Sequence, residues 1–113
     1  MKLRLTARGI ETSAELKEFV NRRIRFSLGR LAGKIKGLTI QLSDSNGPRG
    51  GVDKCCDIRI DAGLRQEVIV RERRTSIHAA VARALDRAEQ AVQSQLRLAS
   101  PAWERSAIPR SGG

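Results

Sequence analysis

Four arginines, Arg22, Arg23, Arg25 and Arg30, and two lysines, Lys34 and Lys36, fall within FVNRRIRFSLGRLAGKIKG (19–37), a stretch without a single acid. A guanidinium is a planar fork of donors that takes two oxygens of a phosphate through parallel hydrogen bonds, and it is more weakly hydrated than an ammonium. Arg83 and Arg87 stand one helical turn apart later in the chain, with Gln90 and Ser94 continuing the same spacing. The chemistry these residues point to is the grip of a polyanion, not the making of bonds. His78 has no Ser, Cys or acid spaced to act with it in acid–base or nucleophilic catalysis. One histidine and two cysteines cannot fill a four-ligand zinc site without carboxylates, and no spacing suggests one. Gly47, Gly50 and Gly51 flank Pro48-Arg49 without the Gly-x-x-x-x-Gly-Lys order of a phosphate loop. No enzyme, metal, cofactor or small-molecule substrate is expected.

The charge of the whole chain agrees with that chemistry. Over 113 residues, 22 Lys and Arg oppose 12 Asp and Glu, a formal +10. Residues 1–36 hold ten bases and three acids, which is +7 of it. A field of that sign concentrates polyanions, so nucleic acid or an anionic membrane surface are the natural partners. No apolar run approaches the roughly 20 residues needed to cross a bilayer, and MKLRLTARGIE lacks a signal-peptide core. A cytoplasmic protein is expected. A helix face that is merely solvated usually mixes signs, whereas here only Glu18 stands one turn from a base, Arg22. Phe19, Phe26 and Trp103 are the whole aromatic inventory, which implies an aliphatic core and disfavours a surface of stacked bases.

The elements that must position these side chains follow from periodicity. KLRLTAR (2–8) alternates and reads as a half-buried strand. Thr12 and Glu15 have capping-box spacing, and a helix from about Ser13 to Leu31 carries Leu16, Phe19, Val20, Ile24, Leu28 and Leu31 at intervals of three and four. GLTIQLS (37–43) alternates again, and SNGPRGG (45–51) is a polar loop. CCDIRID (55–61) and LRQEVIVRER (64–73) read as strands around an Ala62-Gly63 hairpin. Cys55 and Cys56, adjacent on a strand, point to opposite faces, so free thiols are expected, one in the core and one outward. A second helix, Ser76 to Leu98, capped by Thr75 or Ser76, buries Ile77, Val81, Ala84, Leu85, Ala88, Val92 and Leu96.

The order βαβββα gives an α+β fold. A helical crossover makes the first two strands parallel if they are neighbours, and the rest meander antiparallel into a four-stranded mixed sheet. Both amphipathic helices then lie side by side on one face. One domain over residues 1–98 and a flexible tail over 99–113, with Trp103, are expected. At about 100° per residue, Arg22, Arg23, Phe26 and Arg30 share one flank of the first helix, while Arg25 lies further round. Arg83 and Arg87 share a flank of the second. If those flanks face each other, they form a basic trough; the sequence does not fix which flanks meet.

The opening of the first helix, RGIETSAELKEFVNRRI (8–24), the strand CDIRI before a glycine hairpin, and HAAV (78–81) resemble the ribosome hibernation promoting factor family, also called protein Y, ribosome-associated inhibitor or sigma-factor modulation protein. The resemblance covers about residues 2–98, as in a short-type, divergent member. It implies a shape similar to double-stranded-RNA-binding domains. It also implies basic helix faces that bind ribosomal RNA of the small ribosomal subunit in the channel for messenger and transfer RNA, as a stress response that silences translation. Carried over by position, it supports Arg23 and Arg87. The family's usual Asp-x-Tyr opening of the second helix is replaced here around Thr75 and His78, and later basic positions by Gln90 and Ser94. Arg22, Arg25 and Arg30 then compensate on the first helix. The expected RNA-binding set is Arg22, Arg23, Arg25, Arg30, Lys34, Arg83 and Arg87. Two alternatives stand beside it: a generic double-stranded-RNA binder, and a protein-binding or weakly homodimerising module using the open sheet face with Lys2, Arg4, Asp57, Arg59 and Asp61.

Overall fold

A computed structural model describes residues 1–44 and 53–99. The expected loop 45–51 and the tail with Trp103 lie outside the described residues, apart from Ala99. Strand β1 (Lys2–Arg8) leads to helix α1 (Ala14–Leu28), which tightens into a 3-10 segment, Gly29–Lys34. Strands β2 (Gly37–Asp44), β3 (Lys54–Asp61) and β4 (Val68–Arg74) follow, then helix α2 (Ile77–Ala99). The sheet runs β1-β2-β3-β4, so the first two strands are neighbours and, as expected in that case, parallel, while the other pairs are antiparallel.

Alternation in each strand places one apolar row after another on a single face. Leu5, Ile40, Ile58 and Val70 are successive cross-strand partners, and Ala7, Leu42 and Cys56 form the next row but one. Onto this face α1 lowers Leu16, Val20, Ile24 and Leu28, and α2 lowers Ala80, Val81, Ala84, Leu85, Ala88 and Val92. The alanines of α2 hold its backbone close to β3 and β4. These side chains form one buried cluster of aliphatic groups, and truncating any of its leucines to alanine removes about 2–5 kcal/mol.

Two local readings are corrected. The N-cap of α1 is Ser13, whose Oγ accepts from Leu16 N at 3.1 Å. That puts Glu15 one residue short of the third helical position, so the Thr12–Glu15 box does not form. The strand read from Leu64 begins only at Val68, since Asp61 Oδ1 accepts from Gly63 N at 2.9 Å and Gly63 takes φ +71°. A side-chain-capped turn has replaced the two-residue hairpin, and the residues after it form a longer connection. Gly9 leaves β1 at φ +73°, where a β-carbon would stand 2.8 Å from the Asp44 carbonyl oxygen, so only glycine fits.

The helices run parallel. Phe19 meets His78, Ser27 meets Asp86 and Arg30 meets Glu89, a constant offset of 59 residues. Ser76 caps α2, with its Oγ accepting from Ala79 N at 3.4 Å.

Candidate nucleic-acid interface

Helical geometry fixes which side chains reach the seam between α1 and α2. On α1 these are Phe19, Arg23, Ser27 and, from the 3-10 segment, Arg30. On α2 the matching flank carries His78, Asp86 and Glu89. Arg23 Nη2 lies 3.2 Å from Asp86 Oδ1, which also accepts from the buried Ser27 Oγ at 3.0 Å. Arg30 reaches Glu89 at 3.4 Å, a loose contact for an almost fully exposed guanidinium. The ring of His78 packs edge-on against Phe19 with centroids 4.5 Å apart. His78 is therefore a packing residue closing one end of the seam.

The flank with Arg83 and Arg87 does not face α1. It turns the other way, toward β4, because Asp86 and Glu89 already occupy the side of α2 that meets α1. Arg87 Nη1 donates to the buried Glu72 carboxylate and, at 3.2 Å, to the Arg71 carbonyl. Arg74 bonds the other Glu72 oxygen at 2.7 Å. Glu72 is only 7% exposed, and a carboxylate so placed needs both partners. The two-helix trough is thus replaced by a seam of alternating sign and a separate pin joining α2 to β4.

Four of the seven expected residues, Arg22, Arg25, Lys34 and Arg83, are exposed and have no charged partner among the described residues. Glu18 does not hold Arg22, although it stands one turn away. Within the expected set, three of these four unpaired cations lie on α1 and its 3-10 extension, with Arg83 apart on α2. Between Arg22 and Arg30, at four-residue intervals, stands Phe26, which is 76% exposed. The Arg23 guanidinium carbon sits 4.8 Å from the centre of its ring. Arg23 Nε is buried without a hydrogen-bond partner, so that side chain is held by Asp86 on one side and by the ring on the other.

On the open sheet face Asp57 and Glu67 are paired, while Lys2 and Arg4 of β1 are exposed without a charged partner among the described residues. Asp57 takes Arg71 at 2.7 Å, and Glu67 lies 3.8 Å from Arg59. Cys55 and Cys56 are free, as expected, with Cys56 in the core. Burial, then the Asp57 carboxylate, push the Cys56 thiol up to about 12. Burial and Asp57 raise the Cys55 thiol as well. Neither environment favours a reactive thiolate. Among the described residues no group of three or more His, Cys, Asp and Glu is placed to hold a metal ion, and no helix is long and apolar enough to cross a membrane.

Sequence reasoning passed over Asp86, Glu89 and Glu72, because their partners lie on other elements. The one available signal for Phe26 was its place between Arg22 and Arg30 on the helical wheel.

Comparison with known proteins bears on this geometry. A search of curated protein sequences finds no significant match. Among solved structures, a ribosomal subunit interface protein from Coxiella burnetii superposes with a TM-score of 0.68 at 14% identity, covering 83% of this chain and 96% of that one. The N-terminal domain of Thermus thermophilus Protein Y gives 0.67 at 22% identity, covering 83% and 98%. At those identities the likeness is one of fold. The family model described as sigma 54 modulation protein / S30EA ribosomal protein matches residues 3–97, nearly the whole of the described chain, and the protein belongs to that family.

Proposed function

We propose that this protein is a ribosome-associated translation regulator that binds the small ribosomal subunit through α1 and occludes the path of messenger and transfer RNA. The observation that carries the reading is that Arg22 and Arg25 of α1 and Lys34 of the 3-10 segment that follows it are exposed and without a charged partner among the described residues, in a protein of net charge +10. Guanidinium forks with no carboxylate to release meet phosphate without first breaking a native ion pair. Family membership supplies the ribosomal context, and a relative in fold is described as a subunit interface protein. The action is steric and requires no catalysis. It takes place in the cytoplasm, where ribosomes are.

The open sheet face is the less supported surface, since Asp57 and Glu67 are already engaged by Arg71 and Arg59 and Asp61 by the Gly63 amide. Strand-edge dimerisation is opposed by charge: antiparallel pairing of two β1 edges about Leu5 sets Lys2 against Arg8 of the second copy.

Co-sedimentation with purified small subunits tests the proposal. At low salt the protein should travel with the subunit, and Arg22→Glu/Arg25→Glu should leave it at the top of the gradient. An Asp57→Ala/Arg59→Ala variant of the sheet face should sediment like the parent. Parent protein that stays at the top at low salt would exclude the reading, and loss of binding by the sheet variant alone would transfer the interface to the open face.

A further inference from the structure

We propose that Phe26 is a stacking platform for an unpaired nucleobase, so that the α1 face reads an exposed base of RNA and not phosphates alone. The inference rests on the RNA-binding reading of α1 and deepens it. A chain with two phenylalanines places one of them, Phe19, half-buried against His78, and leaves the other 76% exposed in the middle of its most basic face. An apolar ring so exposed adds nothing to the core. Arg23 covers one face of the ring at 4.8 Å and is itself paired with Asp86, while the ring as a whole stays 76% exposed, so the face away from Arg23 is open to a partner.

The surroundings select the occupant. Arg22 and Arg30 lie one turn before and after Phe26, and Arg25 is adjacent in sequence. A ligand that sits on the ring lies beside Arg22 and Arg25, which have no charged partner, with Arg30 already held loosely by Glu89, and this suits a flat, uncharged base carried on a phosphate backbone. An apolar protein segment would leave those guanidiniums facing a desolvated surface. A base inside a regular duplex has no free face, so the target is a loop, bulge or single strand. Arg23, engaged from behind by Asp86, acts as a positioning residue that polarises and orients the ring.

Affinity for purified small subunits is measured for Phe26→Ala, Phe26→Leu and Phe26→Tyr across a salt series. Loss of stacking should weaken binding about 5- to 100-fold in the alanine variant. Because the phenyl ring carries no charge, the slope of log affinity against log salt should not change. Tyrosine should restore binding and leucine, which keeps apolar bulk without a π face, should not. A Phe26→Trp protein with Trp103→Phe provides a single indole reporter, whose emission should be quenched on binding. Leucine equal to the parent, or a blue shift without quenching, would overturn the proposal in favour of a ribosomal protein contact. Unchanged affinity of Phe26→Ala in a parent that binds with a steep salt slope would overturn stacking alone. A parent that does not bind at low salt would overturn both readings.

Discussion

The division of the helix-side cations into free and paired sets has a measurable consequence in the salt dependence of binding. Each phosphate neutralised releases counterions and adds about 0.7–0.9 to the slope of log affinity against log salt. If only Arg22, Arg25, Lys34 and Arg83 make such contacts, the slope is about −2.8 to −3.6, and raising salt from about 0.05 to 0.2 M weakens binding about 50- to 150-fold. If all seven cations gripped phosphate, the slope would be about −4.9 to −6.3 and the same change would weaken binding about 1,000- to 6,000-fold. The assay is a salt titration of binding to purified small subunits with magnesium held constant. Arg22→Gln/Arg25→Gln should remove two contacts and roughly halve the slope. Arg87→Gln should leave the slope within error, since that guanidinium is committed to Glu72 and the Arg71 carbonyl. A parent slope near −6, or an Arg87 variant whose slope falls as much as that of the double variant, would refute the division.

Asp86→Ala frees Arg23 and removes the acceptor of Ser27, so chemical denaturation should show a loss of about 1–2 kcal/mol while the salt slope steepens by about 0.8. Glu72→Ala breaks the pin between α2 and β4 and should lower unfolding free energy by about 1–3 kcal/mol; a change below about 0.5 would deny it that role. Iodoacetamide at pH 8 should modify Cys55 slowly and Cys56 only after unfolding. For Cys56 the folded thiol titrates near 12 and the unfolded one near 9, so the native state retains a proton that the unfolded state loses. Its contribution to stability is whole below pH 9 and falls by up to about 1.4 kcal/mol per pH unit between 9 and 12, a decline that Cys56→Ala should flatten in alkaline denaturation.

Periodicity alone located β1, β2, β3 and both helices, because each has one face in the core and the pattern of apolar residues records that face. It failed where a side chain outcompeted the pattern. Leu64 and Glu67 continue an alternation that Asp61 interrupts by accepting from Gly63 N, and Ser13 caps α1 where Thr12 had the better motif. The candidate site was legible only as a list of cations. Whether each was free depended on acids 59 to 63 residues away, brought opposite by two parallel helices. The helical wheel puts Arg83 and Arg87 on one flank, yet it carries no information on which flank of α2 meets α1. That choice belongs to packing: His78, Asp86 and Glu89 meet α1 and its 3-10 extension, and two of them are acids.

The seam acids also explain how a helix this basic can pack at all. From α1 through the 3-10 segment, six cations, Lys17, Arg22, Arg23, Arg25, Arg30 and Lys34, outnumber two acids, Glu15 and Glu18, for a local +4. Had α2 presented Arg83 and Arg87 to that helix, like charges would face each other well within the Debye length of about 8–10 Å, and at a partly buried seam where salt screens little. Presenting Asp86 and Glu89 instead pairs the part-buried Arg23 and draws in the exposed Arg30 loosely, and it leaves Arg22 and Arg25 without a charged partner. The same choice sends Arg87 to the far side of α2, where it neutralises the buried Glu72 in turn. Among the helix-side cations of the expected set, the charge free for a polyanion is therefore what remains after the packing of the helices has taken its share, and three of its four members lie on α1 and its 3-10 extension. An RNA partner should accordingly meet this protein with α1 against its phosphates, and charge changes at Arg22 or Arg25 should outweigh equal changes at Arg87.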